Sequence, residues 1–121
     1  MNQHATSGGV EILTDTQGVD FGPWLKEWHS ETDHTWQPLI PAEVNPPKLE
    51  QGKVAIRFQV LPNGGVKEGS MVLEGRSGDA TLDHAAWAAL VGSKYPSLPS
   101  AFHGQYLEIR AYFLYNMELP R

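Results

Sequence analysis

A chain of 121 residues with 40% hydrophobic content has room for one domain and one modest core. Its formal charge of −5, with nine Lys and Arg residues scattered rather than clustered, argues against a phosphate-backbone partner, so no nucleic acid is expected. The absence of Cys removes disulfides, thiolate zinc sites and Cys nucleophiles together.

Residues 1–9 (MNQHATSGG) are polar, end in glycine and have nothing to bury, so they are expected to form a disordered tail or linker remnant ahead of a single domain over 10–121. No run reaches the roughly 18 apolar residues of a bilayer span, and residues 1–10 lack the basic and apolar regions of a signal peptide. Residues 10–14 (VEILT) read as a short strand of open placement, followed by a turn at 15–18. Asp20 is placed to cap a helix in which Pro23 falls in the first turn, where no intrahelical N–H bond is needed. Phe21, Leu25, Trp28, Thr32, Trp36 and Leu39 share one stripe of that helix, and Pro38 and Pro41 stop it.

An extended crossover containing Pro46 and Pro47 leads to residues 54–60, where Val54, Ile56, Phe58 and Val60 alternate with Ala55, Arg57 and Gln59. That is the period of a strand with one buried face. The turn Pro62-Asn63-Gly64-Gly65 should reverse the chain tightly into a partner strand over 66–74, with Gly69 able to host a bulge. Asp79 or Thr81 then caps a second helix, in which Leu82, Ala85, Ala86, Ala89 and Leu90 form a stripe of small residues suited to close packing. After an irregular connection marked by Pro96, Pro99 and Gly104, the longest alternation in the chain sets Leu107, Ile109, Ala111, Phe113 and Tyr115 against Tyr106, Glu108, Arg110, Tyr112 and Leu114. The same phase predicts that Trp36, Phe58, Ile109 and Phe113 are buried.

Catalytic and metal-binding patterns are missing. His29 and Asp33 share a helix face, but His34 is rotated off it, so no H-E-x-x-H pair of imidazoles forms and a solvated face is the simpler reading. Asp83 and His84 are adjacent in a first turn, where Asp83 has a sufficient role in complementing the helix dipole. Ser77 lies in no G-x-S-x-G elbow, and Gly64-Gly65 has no following Lys-Ser/Thr and precedes a strand rather than a helix, so a phosphate loop is equally unsupported. Neither an enzymatic role nor a cofactor or metal is expected.

The order of these elements, with particular residues, resembles the TonB C-terminal domain family. Residues 52–66 (GKVAIRFQVLPNGGV) look like that family's first hairpin, and Ser77-Gly78 with Leu82-Asp83, Ala85-Ala86 and the Pro96/Pro99 region looks like its second helix and exit. Gln37-Pro38-Leu39-Ile40-Pro41 is similar to the family's Q-P-x-Y-P segment, with Ile40 in place of Tyr. The likeness covers residues 21–116 and departs from the family at 88–93, where Arg-Arg-Trp is common. It implies an α+β fold, two-layer, with two helices packed on one face of a three-stranded antiparallel sheet.

By the same resemblance the chain is a periplasmic domain, tethered to the inner membrane by an N-terminal helix that this chain does not include. The resemblance further implies that it engages the TonB box of an outer-membrane receptor and couples it to an inner-membrane proton-channel complex through segments absent here. The alternative is a stand-alone cell-envelope binding or scaffolding module that uses the same edge without energy coupling. In either case the last strand is expected at the sheet edge, where unpaired N–H and C=O groups accept an extended peptide, or a second copy in a homodimer. Tyr106, Glu108, Arg110, Tyr112 and Leu114, together with Gln37, Pro38 and Pro41, are the candidate partner-binding residues.

Overall fold

A computed structural model describes residues 5–117. The chain folds as β1 (Ala5–Ile12), α1 (Gly22–Trp36), one-turn 3₁₀ helices at Gln37–Leu39 and Ala42–Val44, β2 (Gly52–Val60), β3 (Val72–Gly75), α2 (Ala80–Gly92) and β4 (Leu107–Tyr115). The four strands form one antiparallel sheet in the order β1-β4-β2-β3. The α+β class is as expected, but among the described residues the sheet has four strands rather than three.

The added strand lies where a tail was expected. Residues 5–9 pair with β4 from Ala5↔Tyr115 to Gly9↔Tyr112, and the ladder continues to Ile12↔Ile109. Local composition argues against a strand here, yet β4 offers a full row of backbone partners that the segment satisfies irrespective of side chain. The register slips between Ser7 and Gly9, so Gly8 has no opposite number. Val10 and Ile12 pack against the core and fix the far half of the strand.

The β2 pattern sits in phase, with Val54, Ile56, Phe58 and Val60 fully buried. The turn after it closes as expected through Gly64 N–H to Leu61 O at 2.8 Å and Leu61 N–H to Gly65 O at 2.8 Å. Gly64 has φ +90, and a Cβ there would run into the carbonyls of Tyr95 and Pro96, so both conformation and space require glycine. The partner strand is shorter than its alternation indicated. After a single bridge, Val60↔Val66, the chain loops out through Gly69 at φ +78, and Ser70 Oγ accepts from Gln59 N at 3.1 Å before β3 begins at Val72.

Both helices pack on one face. Asp20 Oδ1 accepts from Gly22 N at 2.9 Å, serving the first turn of α1 from one position before its N-cap, Phe21. The buried stripe is Phe21, Trp24, Trp28, Thr32 and Trp36, while Leu39 lies outside the helix and is 42% exposed. Asp79 caps α2 by accepting from Thr81 N at 2.8 Å, and Leu82, Ala85, Ala86, Ala89 and Leu90 are all buried as their spacing indicated.

Aromatic contacts join the layers. Trp28 stacks on Phe58 and Tyr95 with centroids 6.4 and 5.9 Å away, and Trp36 meets Phe113 edge-on at 5.0 Å. Trp36, Phe58, Ile109 and Phe113 are fully buried, as expected from their phase. Thr32 Oγ1 and Tyr95 Oη share a 2.8 Å hydrogen bond within this layer, and burial pushes the Tyr95 phenol up to about 12. Asn116, at φ +54, donates to Val44 O at 2.8 Å and Glu50 O at 2.9 Å, fastening the end of β4 to the crossover.

Candidate functional site: the open sheet face and its two edges

The face of the sheet opposite the helices is a connected ion-pair network. Arg57 and Arg110 stand directly opposite one another on β2 and β4, a like-charge cross-strand pair that is unfavourable alone. Glu74 on β3 resolves it by accepting from Arg110 Nε at 2.7 Å and Arg57 Nε at 3.1 Å. Glu108 accepts from Arg57 Nη1 at 3.3 Å and Gln59 Nε2 at 2.9 Å, and Glu11 lies 3.5 Å from Arg110 Nη1 and accepts from the Tyr112 hydroxyl. Arg110, then Arg57, hold the Glu74 carboxyl below the usual carboxylate range, and the hydrogen bond to Glu11 raises the Tyr112 phenol.

The expected partner residues are dispersed by this arrangement. Glu108, Arg110 and Tyr112 lie on the open face, but their polar groups are engaged within the network. Leu114 shares that phase yet is only 5% exposed, because its strand is flanked on both sides. Tyr106 precedes β4, with Lys67 Nζ 5.9 Å from its ring centroid. Gln37 donates to Asp33 Oδ1 at 3.1 Å, Pro38 is exposed, and Pro41 caps the second 3₁₀ helix. These three follow Trp36, whose indole donates to the Tyr115 hydroxyl at 3.0 Å, so they lie by the far end of β4. At about 3.3 Å per residue, that end is roughly 30 Å from Tyr106.

The expectation that the last strand is the sheet edge is corrected. β4 pairs with β2 along its whole length and with β1 on its other side, which leaves it no free edge for a peptide or for a second copy. The C-terminal alternation identified a strand but carried no information on what lay beside it. The true edges are β1 and β3.

The two edges differ in build. The end of β1 and the two residues after it are anchored: Leu13 N–H donates to Glu108 O at 2.8 Å, Thr14 Oγ1 accepts from Glu108 N at 2.7 Å, and Glu11 holds Tyr112. Residues 5–9 (ATSGG) bring no large apolar side chain and contain the bulge. At the other edge, β3 has four residues, with Leu73 turned toward the helices and Val72 and Glu74 toward the open face.

Beside the start of β3 lies a cavity of about 440 Å³, walled by Val66 and Met71 from the hairpin and by Trp87, Leu90 and Val91 from α2. Trp24, which is not on the stripe expected for the first helix, is buried with its indole donating to Pro96 O at 2.9 Å; Trp87 is half-buried and lines the cavity. Sequence reasoning missed this site, although Trp87 and Val91 at i,i+4 were the available signal.

His29, Glu31 and His34 are exposed, and among the described residues no three His, Asp or Glu gather where they could hold a metal ion. Among the same residues no helix is long and apolar enough to cross a membrane. No protein-family model matches the chain, and no curated protein matches it.

Proposed function

We propose that this chain is the receptor-engaging domain of a TonB-like energy transducer. It works in the periplasm, takes an extended segment of an outer-membrane receptor as an added strand, and passes on force for transport. The resemblance of residues 21–116 supports this reading, as does the α+β architecture with both helices on one sheet face. As such a domain the chain binds and transmits, with no catalytic step and no cofactor.

The observation that carries the reading is the unequal attachment of β1. Residues 10–14 are held by Val10, Ile12 and the bonds to Glu108, whereas residues 5–9 contribute two glycines, a bulge and no large apolar group. Glycine and a bulge both weaken strand pairing. A receptor segment that replaces residues 5–9 would inherit their backbone partners on β4, residues 112–115, without disturbing the core. Its main-chain hydrogen bonds would supply affinity, and a pull along the strand would load several bonds together.

The test is a titration of isotope-labelled protein with a short plug peptide from a candidate receptor, followed by amide NMR. Shifts concentrated at residues 5–9 and 112–115 are expected. Shifts confined to residues 18–41, or no binding to any such peptide, would overturn the reading.

A further inference from the structure

The cavity and the unpaired edge of β3 are two independent features that adjoin at Met71, which lines the cavity and directly precedes the first residue of β3, Val72. Beyond β3 no strand follows among the described residues, so its outer backbone groups face outward. Side chains alternate across a sheet, and Met71 and Leu73 already point toward the helix layer, as does Ile56 opposite Leu73. A strand added outside β3, about 4.8 Å away, would direct every second side chain toward the same layer. The helix on that side is α2, whose Trp87 and Val91 line the cavity together with Val66 and Met71.

The lining defines the occupant. Val66, Met71, Trp87 and Val91 give an apolar surface, and Val91 is 65% exposed, a large apolar group left open to solvent. The rim carries Lys67 and Glu68, one charge of each sign, so the site favours neither an anionic nor a cationic anchor. A volume of about 440 Å³ falls within the roughly 300–1,000 Å³ of small-ligand pockets.

A second copy fits poorly. A two-fold pairing of β3 with itself would run along only about 13 Å of strand, too short an axis for the roughly 1,200 Å² or more that a stable dimer buries. A single extended segment needs far less area.

We propose that the outer edge of β3 and the adjoining cavity form a second peptide-binding site, taking an extended, uncharged segment as a fifth strand and seating one large apolar side chain against Trp87 and Val91. This site lies at the opposite edge from residues 5–9 and stands independently of the transducer reading. Affinity there depends on the anchor side chain, because so short an edge offers few main-chain bonds.

The probe is a blocked, neutral heptapeptide alternating Thr with Val and carrying one central Phe, titrated into the full chain and read by NMR. Shifts are expected at the amides of residues 72–75 and at the Trp87 indole. Replacing the central Phe by Ala should weaken binding about ten-fold or more, since burying such a side chain is worth at least one decade in affinity. Val91→Asp, at an exposed position, should weaken it similarly while leaving the thermal midpoint of the protein in place. The proposal is overturned by the absence of shifts at millimolar peptide, by shifts at residues 5–9 and 112–115 instead, or by equal affinity for the Phe and Ala peptides.

Discussion

Tyr115→Phe tests how the helices are fixed to the sheet. The Tyr115 hydroxyl is fully buried, accepts from the Trp36 indole at 3.0 Å and donates to Leu82 O at 2.9 Å, so one oxygen on β4 joins α1 to α2. Removing it leaves the rings packed but orphans the Trp36 donor in a dry core, whereas the Leu82 carbonyl, in the first turn of α2, keeps its place in the helix ladder. An orphaned buried donor costs about 1–3 kcal/mol and a lost neutral hydrogen bond about 1, so a loss of about 2–4 kcal/mol is expected. In a Trp36→Phe background there is no donor to orphan, and the same change should cost only about 1 kcal/mol. Urea titrations of the four proteins, followed by circular dichroism, give both numbers. Burial also raises the Tyr115 phenol well above its ordinary value, so its stabilisation is fully present below pH 10 and is lost as pH rises beyond it. That alkaline loss should be smaller in Tyr115→Phe. A single-mutant loss below about 0.5 kcal/mol, or the same loss in both backgrounds, would refute the bridging role.

Phe58→Ala removes a fully buried ring that stacks on Trp28 and should cost about 3–5 kcal/mol in a denaturant titration; a loss below about 1 kcal/mol would mean that the β2 face is not packed as described. Gly64→Ala places a Cβ against the carbonyls of Tyr95 and Pro96 at a positive φ, so it should cost about 2 kcal/mol or more, read as a lowered thermal midpoint. Glu74 has a pKa lowered from 4.5, so the stability its ionised form adds is present above that value and lost as pH falls through the depressed one. Glu74→Gln should therefore flatten the acid limb of a midpoint-versus-pH profile, and an unchanged limb would show that the two arginines do not depend on it.

Periodicity alone makes most of the core legible. On β2, α2 and β4 the apolar phase is clean, and Ile56, Ala86 and Ile109 are buried where their spacing places them. The α1 stripe is displaced from its expected line: Trp24 rather than Leu25 is buried, because an indole that reaches Pro96 O closes against the 95–98 segment. β3 begins late because Gly69 and the Ser70 hydroxyl draw the chain out of the ladder, a local effect that alternation does not encode. The first half of β1 is illegible for a different reason. It carries no alternation, and it becomes a strand through the hydrogen-bonding demand of β4, a nonlocal cause. The candidate site inherits that error, since whether β4 is an edge depends on the one strand whose composition does not announce it.

The open face also changes what specificity can mean here. Glu108, Arg110 and Tyr112 were expected to read a partner, but each is already bound to a neighbour on the sheet, with Glu74 shared between two arginines. A partner that used them would first have to break exposed ion pairs worth little individually, typically below about 1 kcal/mol, and replace them with others of the same kind. That exchange gives little net discrimination. Backbone groups at the edges have no such internal competitor, except where residues 5–9 already occupy β4. Recognition at the β1 side would therefore tolerate sequence variation and respond to strand propensity, while recognition beside β3 would depend on one apolar anchor. A panel of peptides varied at alternate positions separates the two, because only the second kind of binding collapses on loss of a single side chain.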